Sequence, residues 1–199
     1  MAEVITNHAA FYSITDGKIC RTLKSPTSKS IERVNKMGKI VHEEFCNGLS
    51  GRIVDIKTKD HPDYGKFWLV TLKDGDWSGV IQMKFSSGYA SAFLKMLPNV
   101  DLSKEVTIVP NMKIEGDKKK TSLFIMQNGK PLKHLYTKDN PNGLPQMKII
   151  KVKGKETWDD TEMMEFLEKM VFTEVTPKLN GSSESSQSED TAEIADLDF

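Results

Sequence analysis

Phe67 to Phe85 reads FWLVTLKDGDWSGVIQMKF. Two runs rich in β-branched and aromatic residues flank Asp74-Gly75-Asp76, which is the composition of a tight turn between paired strands. Residues 67–73 form one strand and 77–85 its return. In the return strand Trp77, Ile81, Met83 and Phe85 share one face, while Ser78, Gln82 and Lys84 share the other. The reading is a half-buried antiparallel hairpin. Phe67 and Trp68 are adjacent, so their side chains leave opposite faces. One of the two rings must therefore reach the face away from the core or lie under a loop.

Working outward, residues 49–58 (LSGRIVDIKT) read as a strand, with Gly48 and Gly51 permitting a bend or bulge. Residues 87–97 read as one helix, because Ala90, Phe93, Leu94 and Leu97 fall at i, i+3, i+4 and i+7 with Pro98 beyond. Residues 105–110 and 121–127 are two further strands, joined by the basic loop 113–120, and 132–136 extends the sheet. The order is three strands, a helix, two strands. That is the order of the OB-fold, a five-stranded Greek-key barrel with its helix between strands 3 and 4.

Before this core, 11–14 and 19–23 flank Asp16-Gly17 as a hairpin. Residues 30–37 read as a short helix ended by Gly38, within a stretch where seven basic residues (17–40) meet one acid, Glu32. After it, 146–155 is a basic strand. Residues 156–171 are helical, capped by Asp159 or Thr161, with Met163, Phe166, Leu167 and Met170 as a packing stripe. The expected fold is mainly β with some α: a single five-stranded OB-fold barrel, an N-terminal hairpin, a C-terminal helix and an acidic tail.

Charge divides the chain. Lys and Arg total 28, Asp and Glu 28, for a net charge of zero. Six of the acids lie in 180–199, which has no base, so residues 1–179 carry 28 bases against 22 acids, or +6. A basic body with an acidic arm is a composition suited to a polyanion. The expected domains are 1–179 as one body and 180–199 as a tail too polar to offset its ordering entropy. The tail ends in Ile194, Leu197 and Phe199 among acids, an apolar tip fit to dock in another protein. Two cysteines and the lack of a signal peptide point to a reducing, cytoplasmic setting. No run approaches a membrane span.

The chemistry of an enzyme is missing from the pattern. The four His are scattered, there is no CxxC or HxxxH, and no P-loop, GxSxG or GxGxxG occurs. Cys20, His42 and Cys46 make a weak metal set, and Asp63, Asp74 and Asp76 are ordinary turn residues. No catalytic residue, metal or cofactor is expected. What is present is aromatic residues interleaved with bases, the means of holding single-stranded nucleic acid: rings stack on bases, and cations follow the phosphates. The backbone candidates are Arg21, Arg33, Lys36, Arg52, Lys57, Lys66, Lys73, Lys84, Lys113, Lys118, Lys119 and Lys120. One or two of Tyr64, Trp68, Trp77 and Tyr89 are expected to stack, the others being core.

In the body, IERVNKMGK (31–39), YGKFWLVTLKDGD (64–76), FLKMLPNVDLSKEV (93–106) and YTKDNPNGLPQMK (136–148) resemble stretches of bacteriophage single-stranded DNA-binding proteins. The tip IADLDF (194–199) is similar to the acidic, Phe-terminated tips of that family, with Asp198 before Phe199 where bacterial members carry Pro. The resemblance covers most of the chain. It implies an OB-fold without enzymatic activity that coats exposed strands in replication and recombination. It also implies that the tail, through Asp196, Leu197, Asp198 and Phe199, recruits replication proteins such as a DNA polymerase or a helicase/primase. Formation of a homo-oligomer is compatible with it. Two other readings compete: an adaptor whose barrel binds protein, and an RNA-binding OB protein.

Overall fold

The computed structural model describes residues 9–35, 37–152 and 154–181; Lys36 and the tail tip Asp196–Phe199 lie outside the described residues. The chain is mainly β. The quoted hairpin sits at its centre: β6 (Gly65–Asp74) and β7 (Trp77–Lys84) are antiparallel, with Asp74 opposite Trp77 across the turn. β5 (Leu49–His61) pairs antiparallel with β6 and, through Leu49–Gly51, with β8 (Val106–Glu115). It changes partner at Gly51, where an added Cβ would lie 3.1 Å from the Lys73 carbonyl oxygen. A bulge between Ile53 and Asp55 completes the bend. β8 continues into β9 (Lys118–Gln127) and the two-residue β10 (Lys130–Pro131).

The sheet does not stop at five strands. β1 (Ala10–Thr15) lies parallel to β7 and turns into β2 (Lys18–Leu23), which pairs with β4 (Ile40–Cys46), and β4 with β3 (Ile31–Val34). Among the described residues the hydrogen-bonded order is β10-β9-β8-β5-β6-β7-β1-β2-β4-β3, ten strands in an open sheet rather than the expected five. Four of the five extra strands come from the first 46 residues and the fifth is the short β10. The segment read as a helix over 30–37 is the β3–β4 hairpin. Asn35 reverses the chain there, its Oδ1 accepting from the N–H groups of Met37 (3.0 Å) and Lys39 (2.8 Å). The expected strand over 132–136 is confined to a single backbone bond from Leu132 to Ile125 beyond β10.

Helix α1 (Gly88–Met96) falls where the periodicity puts it. Ser87 caps it, its Oγ accepting from the Ala90 N–H at 3.1 Å. It packs on β9 and β7, and Ala90, Phe93, Leu94 and Leu97 join Ile53, Ile56, Val70, Leu72, Ile81, Ile108 and Ile125 in one core. The expected helix over 156–171 starts later. Residues 155–159 are β12 (Lys155–Asp159), the partner of β11 (Lys148–Val152), because a strand needs a ladder that a lone 146–155 segment lacks. α2 (Thr161–Met170) follows, with the Asp159 carboxylate accepting from the Thr161 N–H (3.0 Å) and hydroxyl (2.6 Å). A π-helical turn (Val171–Val175) and α3 (Thr176–Asn180) close the described chain. Among the described residues, no helix is long and apolar enough to cross a membrane.

The hairpin is not half-buried. Ile81 and Met83 enter the core as expected, yet on the opposite face Phe67 and Leu69 are fully buried, Val80 is 5% exposed and Gln82 1%. Trp68 takes the core side, so both members of the Phe67-Trp68 pair are solvent-excluded, one on each face.

Candidate nucleic-acid interface

Strand pairing lays side chains in rows across a sheet, since partners on neighbouring strands point to the same side. On the face of β5, β6 and β7 away from the core the rows are Lys59–Phe67–Lys84, Lys57–Leu69–Gln82, Asp55–Thr71–Val80–Phe11 and Arg52–Lys73–Ser78. Five cations therefore rim an apolar strip made by Phe67, Leu69 and Val80. Arg52, Lys73 and Lys84 are exposed; the Lys57 ammonium lies 3.4 Å from Asp55, both side chains open to solvent. At the end of the strip, in the turn between β5 and β6, Tyr64 is 40% exposed and its ring lies 4.7 Å from that of His61. Arg52, Lys57, Lys73 and Lys84 are thus four predicted residues gathered on one face, with Tyr64 in the turn at its end. Lys59 and Phe67 belong there too and were not predicted, although the alternation that put Lys57 and Lys73 on that face includes them.

The other predicted residues are committed elsewhere. Trp68 stacks on Phe85 (ring centroids 5.5 Å apart) and Phe172 (6.2 Å), inside the core. It is no platform for a base. Lys66, one residue off the strip, points to the core side, binds Glu168 of α2 at 2.5 Å and covers the Phe85 ring at 4.6 Å. Tyr89 is 9% exposed; its hydroxyl oxygen accepts from the Gly17 N–H at 2.9 Å, and burial raises its pKa. Gly17 has φ +78° and sits so close to β8 that a Cβ would meet the Met112 nitrogen at 2.5 Å. The tip of the N-terminal hairpin therefore clamps α1 and β8 together. Trp77 packs beside Tyr12 at 6.3 Å, and the Arg21 guanidinium lies 6.0 Å from the same Tyr12 ring. Arg33 makes a two-pronged bond to the Glu43 carboxylate, at 3.0 and 2.6 Å.

Lys113, Lys118, Lys119 and Lys120 form a separate basic group. They lie on the far half of the β8–β9 hairpin, which the sequence suggested was a loop. There Lys119 pairs with Asp16 at 2.6 Å and Lys120 with Glu115. The sequence also missed a cleft of about 620 Å³ lined by Lys95, His134, Tyr136, Lys138, Met147 and Trp158 among others. Trp158 is 63% exposed on β12, the most open of the three Trp. Burial lowers the pKa of Lys95, and burial together with the Lys95 charge lowers that of His134. Among the described residues, no group of three or more His, Cys, Asp or Glu is arranged to hold a metal ion. No family model, no curated protein and no solved structure matches this chain.

Proposed function

We propose that this chain binds single-stranded DNA without strong sequence preference, along the outer face of β5, β6 and β7, and that it works in the cytoplasm without enzymatic activity. The observation that carries the reading is the rimmed strip: Arg52, Lys57, Lys59, Lys73 and Lys84 around Phe67 and Leu69. Cations spaced along neighbouring strands suit a phosphate backbone, and Tyr64, 40% exposed in the turn at the end of the strip, is the aromatic ring placed to meet a base. The five strands β5, β6, β7, β8 and β9, with α1 between the third and fourth, support reading this part as an OB-fold. The bent first strand, shared between β6 and β8, supports it as well. In that fold the faces of the second and third strands bind oligonucleotides; here these are β6 and β7.

The acidic tail completes the reading. Its six carboxylates oppose the +6 of the body, so it competes with DNA for the basic face. Its tip Asp196-Leu197-Asp198-Phe199 recruits replication proteins such as a DNA polymerase or a helicase/primase. The test is titration of an unpaired oligonucleotide with the full chain and with a chain ending at Gly181, at two salt concentrations. The shorter chain binds more tightly, most clearly at low salt. Equal or weaker binding rejects the competition. No binding by either chain at low salt rejects DNA as the ligand and favours the protein adaptor; stronger binding of RNA of equal sequence favours the RNA reading.

A further inference from the structure

Helix α1 has a second face. Ala90, Phe93, Leu94 and Leu97 enter the core, while Gly88, Ser91, Ala92 and Lys95, at the same i, i+3, i+4, i+7 spacing, line the cleft of about 620 Å³. One wall of the cleft is the segment 134–138. It is fixed to the helix by the Leu135 N–H, which donates to the Lys95 carbonyl at 2.8 Å, and by the Tyr136 ring, which meets Phe166 edge-on at 5.7 Å. The Asn142 Nδ2 holds the same segment by donating to the Leu135 carbonyl at 2.8 Å. Another wall is Met147 and Trp158, at the base of the β11–β12 hairpin. Both are open to solvent, so the cleft can be entered as it stands. No residue that lines it belongs to β5, β6 or β7, which sets it apart from the proposed DNA face.

We propose that this cleft is a nucleotide-binding site, with the base stacked on Trp158 and the phosphate held by Lys95 and Lys138. A base is flat and aromatic, and an indole stacks on it whichever base it is. Ser91, Thr137 and Gln146 add neutral donors and acceptors for the heteroatoms of base and sugar. His134 joins them, because burial and the Lys95 charge hold its pKa below the usual value and leave its ring uncharged at neutral pH. The volume falls within the ~300–1,000 Å³ of small-molecule sites. At the phosphate end, burial works against the Lys95 charge and the nearby Asp160 carboxylate supports it; a phosphate adds a second negative charge where water is partly excluded. Glu162, two residues beyond Asp160, is held by Lys148. An acidic peptide with an aromatic residue would match the ring and the cations, yet it lacks the ring heteroatoms that the four neutral groups can address. A free mononucleotide and one unit of a single strand present the same chemistry to the site.

The test uses the full-length protein with two probes, 5-bromo-dUMP and an oligo(dT) carrying 5-bromo-dU. Ultraviolet light links a bromouracil to an aromatic ring stacked on it, and mass spectrometry of the digest locates the adduct. The adduct falls on Trp158. Its formation from the mononucleotide identifies a free nucleotide as ligand; its formation from the oligonucleotide alone identifies a strand. Trp158→Ala, at an exposed position, weakens binding of the reacting probe by on the order of tenfold, the effect of losing one stacked base. Lys95→Gln combined with Lys138→Gln weakens it several-fold, most at low salt. A Trp158→Ala variant that binds both probes as tightly as the wild type overturns the site. Adducts confined to Tyr64 also overturn it and leave the outer face standing. An adduct on Trp158 from the mononucleotide, with no binding of the oligonucleotide, upholds this site and rejects the single-stranded DNA reading. Binding of a peptide copying Glu189–Phe199 that is lost in Trp158→Ala, with no adduct from either bromouracil probe, gives the cleft to an acidic peptide and overturns the nucleotide.

Discussion

Replacing Lys73 and Lys84 together by Gln tests the proposed face most directly. Both are exposed, lie in different rows of the outer face, and flank the strip from its two ends. If all five cations of that face met phosphates, log K would fall with log salt with a slope of about −3.5, at ~0.7 per contact on a single strand. Between 50 and 200 mM salt the affinity would then drop ~100-fold. Removing two contacts brings the slope to about −2 and the drop over the same range to ~20-fold. The assay is fluorescence anisotropy of a labelled oligonucleotide across a salt series. Lys66→Gln and Lys119→Gln are the controls, since these ammonium groups are held by Glu168 and Asp16 away from the strip. They leave the slope unchanged. The double variant keeps its stability within ~0.5 kcal/mol, as surface substitutions do, so a weaker complex cannot be blamed on unfolding. A slope that does not move in the double variant, or that moves as much in the controls, refutes the placement of the DNA path on this face.

Three further predictions concern the body. Trp68→Ala empties a fully buried site between Phe85 and Phe172 and destabilises the chain by ~3–5 kcal/mol in urea unfolding; a loss below ~1 kcal/mol would mean the ring is not core. Of the two free thiols, Cys46 is exposed, whereas burial and the Glu43 charge push Cys20 up to about 11. At pH 8 a thiol-disulfide reagent should titrate one thiol per native chain and both in denaturant, and rapid native reaction of two would contradict the buried position of Cys20. The Asp101 carboxylate accepts from the Lys104 ammonium and from the Ser103 hydroxyl and N–H, which hold its pKa down to about 2. A depressed folded pKa means the carboxylate's contribution is complete above pH ~4, near the unfolded value, and is lost as the pH falls toward 2. A carboxyl titration followed by NMR should place the Asp101 midpoint well below that of an ordinary Asp; a midpoint near 4 contradicts the contacts.

The local elements were readable where one periodicity had no rival. The α1 stripe and the β6–β7 pairing carry unambiguous patterns, and both stand at the expected places. The errors cluster where a segment's fate depends on a distant partner. Residues 30–37 contain enough Glu, Lys and Asn to pass as a helix, but Ile31 and Val34 gain a ladder only when β4 lies beside them. Residues 155–159 likewise become a strand because β11 precedes them. Period-2 alternation can say which residues share a face and cannot say whether that face is covered. Ser78, Gln82 and Lys84 were grouped correctly, yet Gln82 is buried. Side-chain pairing is equally nonlocal: nothing in the sequence joins Lys66 to Glu168, 102 residues on.

That pairing is what converts a composition into a surface. A charge of +6 over 179 residues is too dilute to choose a face. The fold sorts it by giving many cations a carboxylate of their own: Arg33 takes Glu43, Lys66 takes Glu168, Lys104 takes Asp101, Lys119 takes Asp16, Lys120 takes Glu115 and Lys148 takes Glu162. All six lie off the β5–β6–β7 strip, where their fields are locally cancelled. On the strip Lys57 pairs with Asp55 at 3.4 Å, longer than any of those six, with both side chains open to solvent. A loose exposed pair is worth ~0–1 kcal/mol and yields readily to a phosphate. The direction of the body's field is therefore set less by where lysines are than by which of them hold a carboxylate close. Reversing one neutral or basic residue of the strip, such as Thr71→Glu between Asp55 and Val80, should weaken strand binding more than deleting any one of the six paired cations.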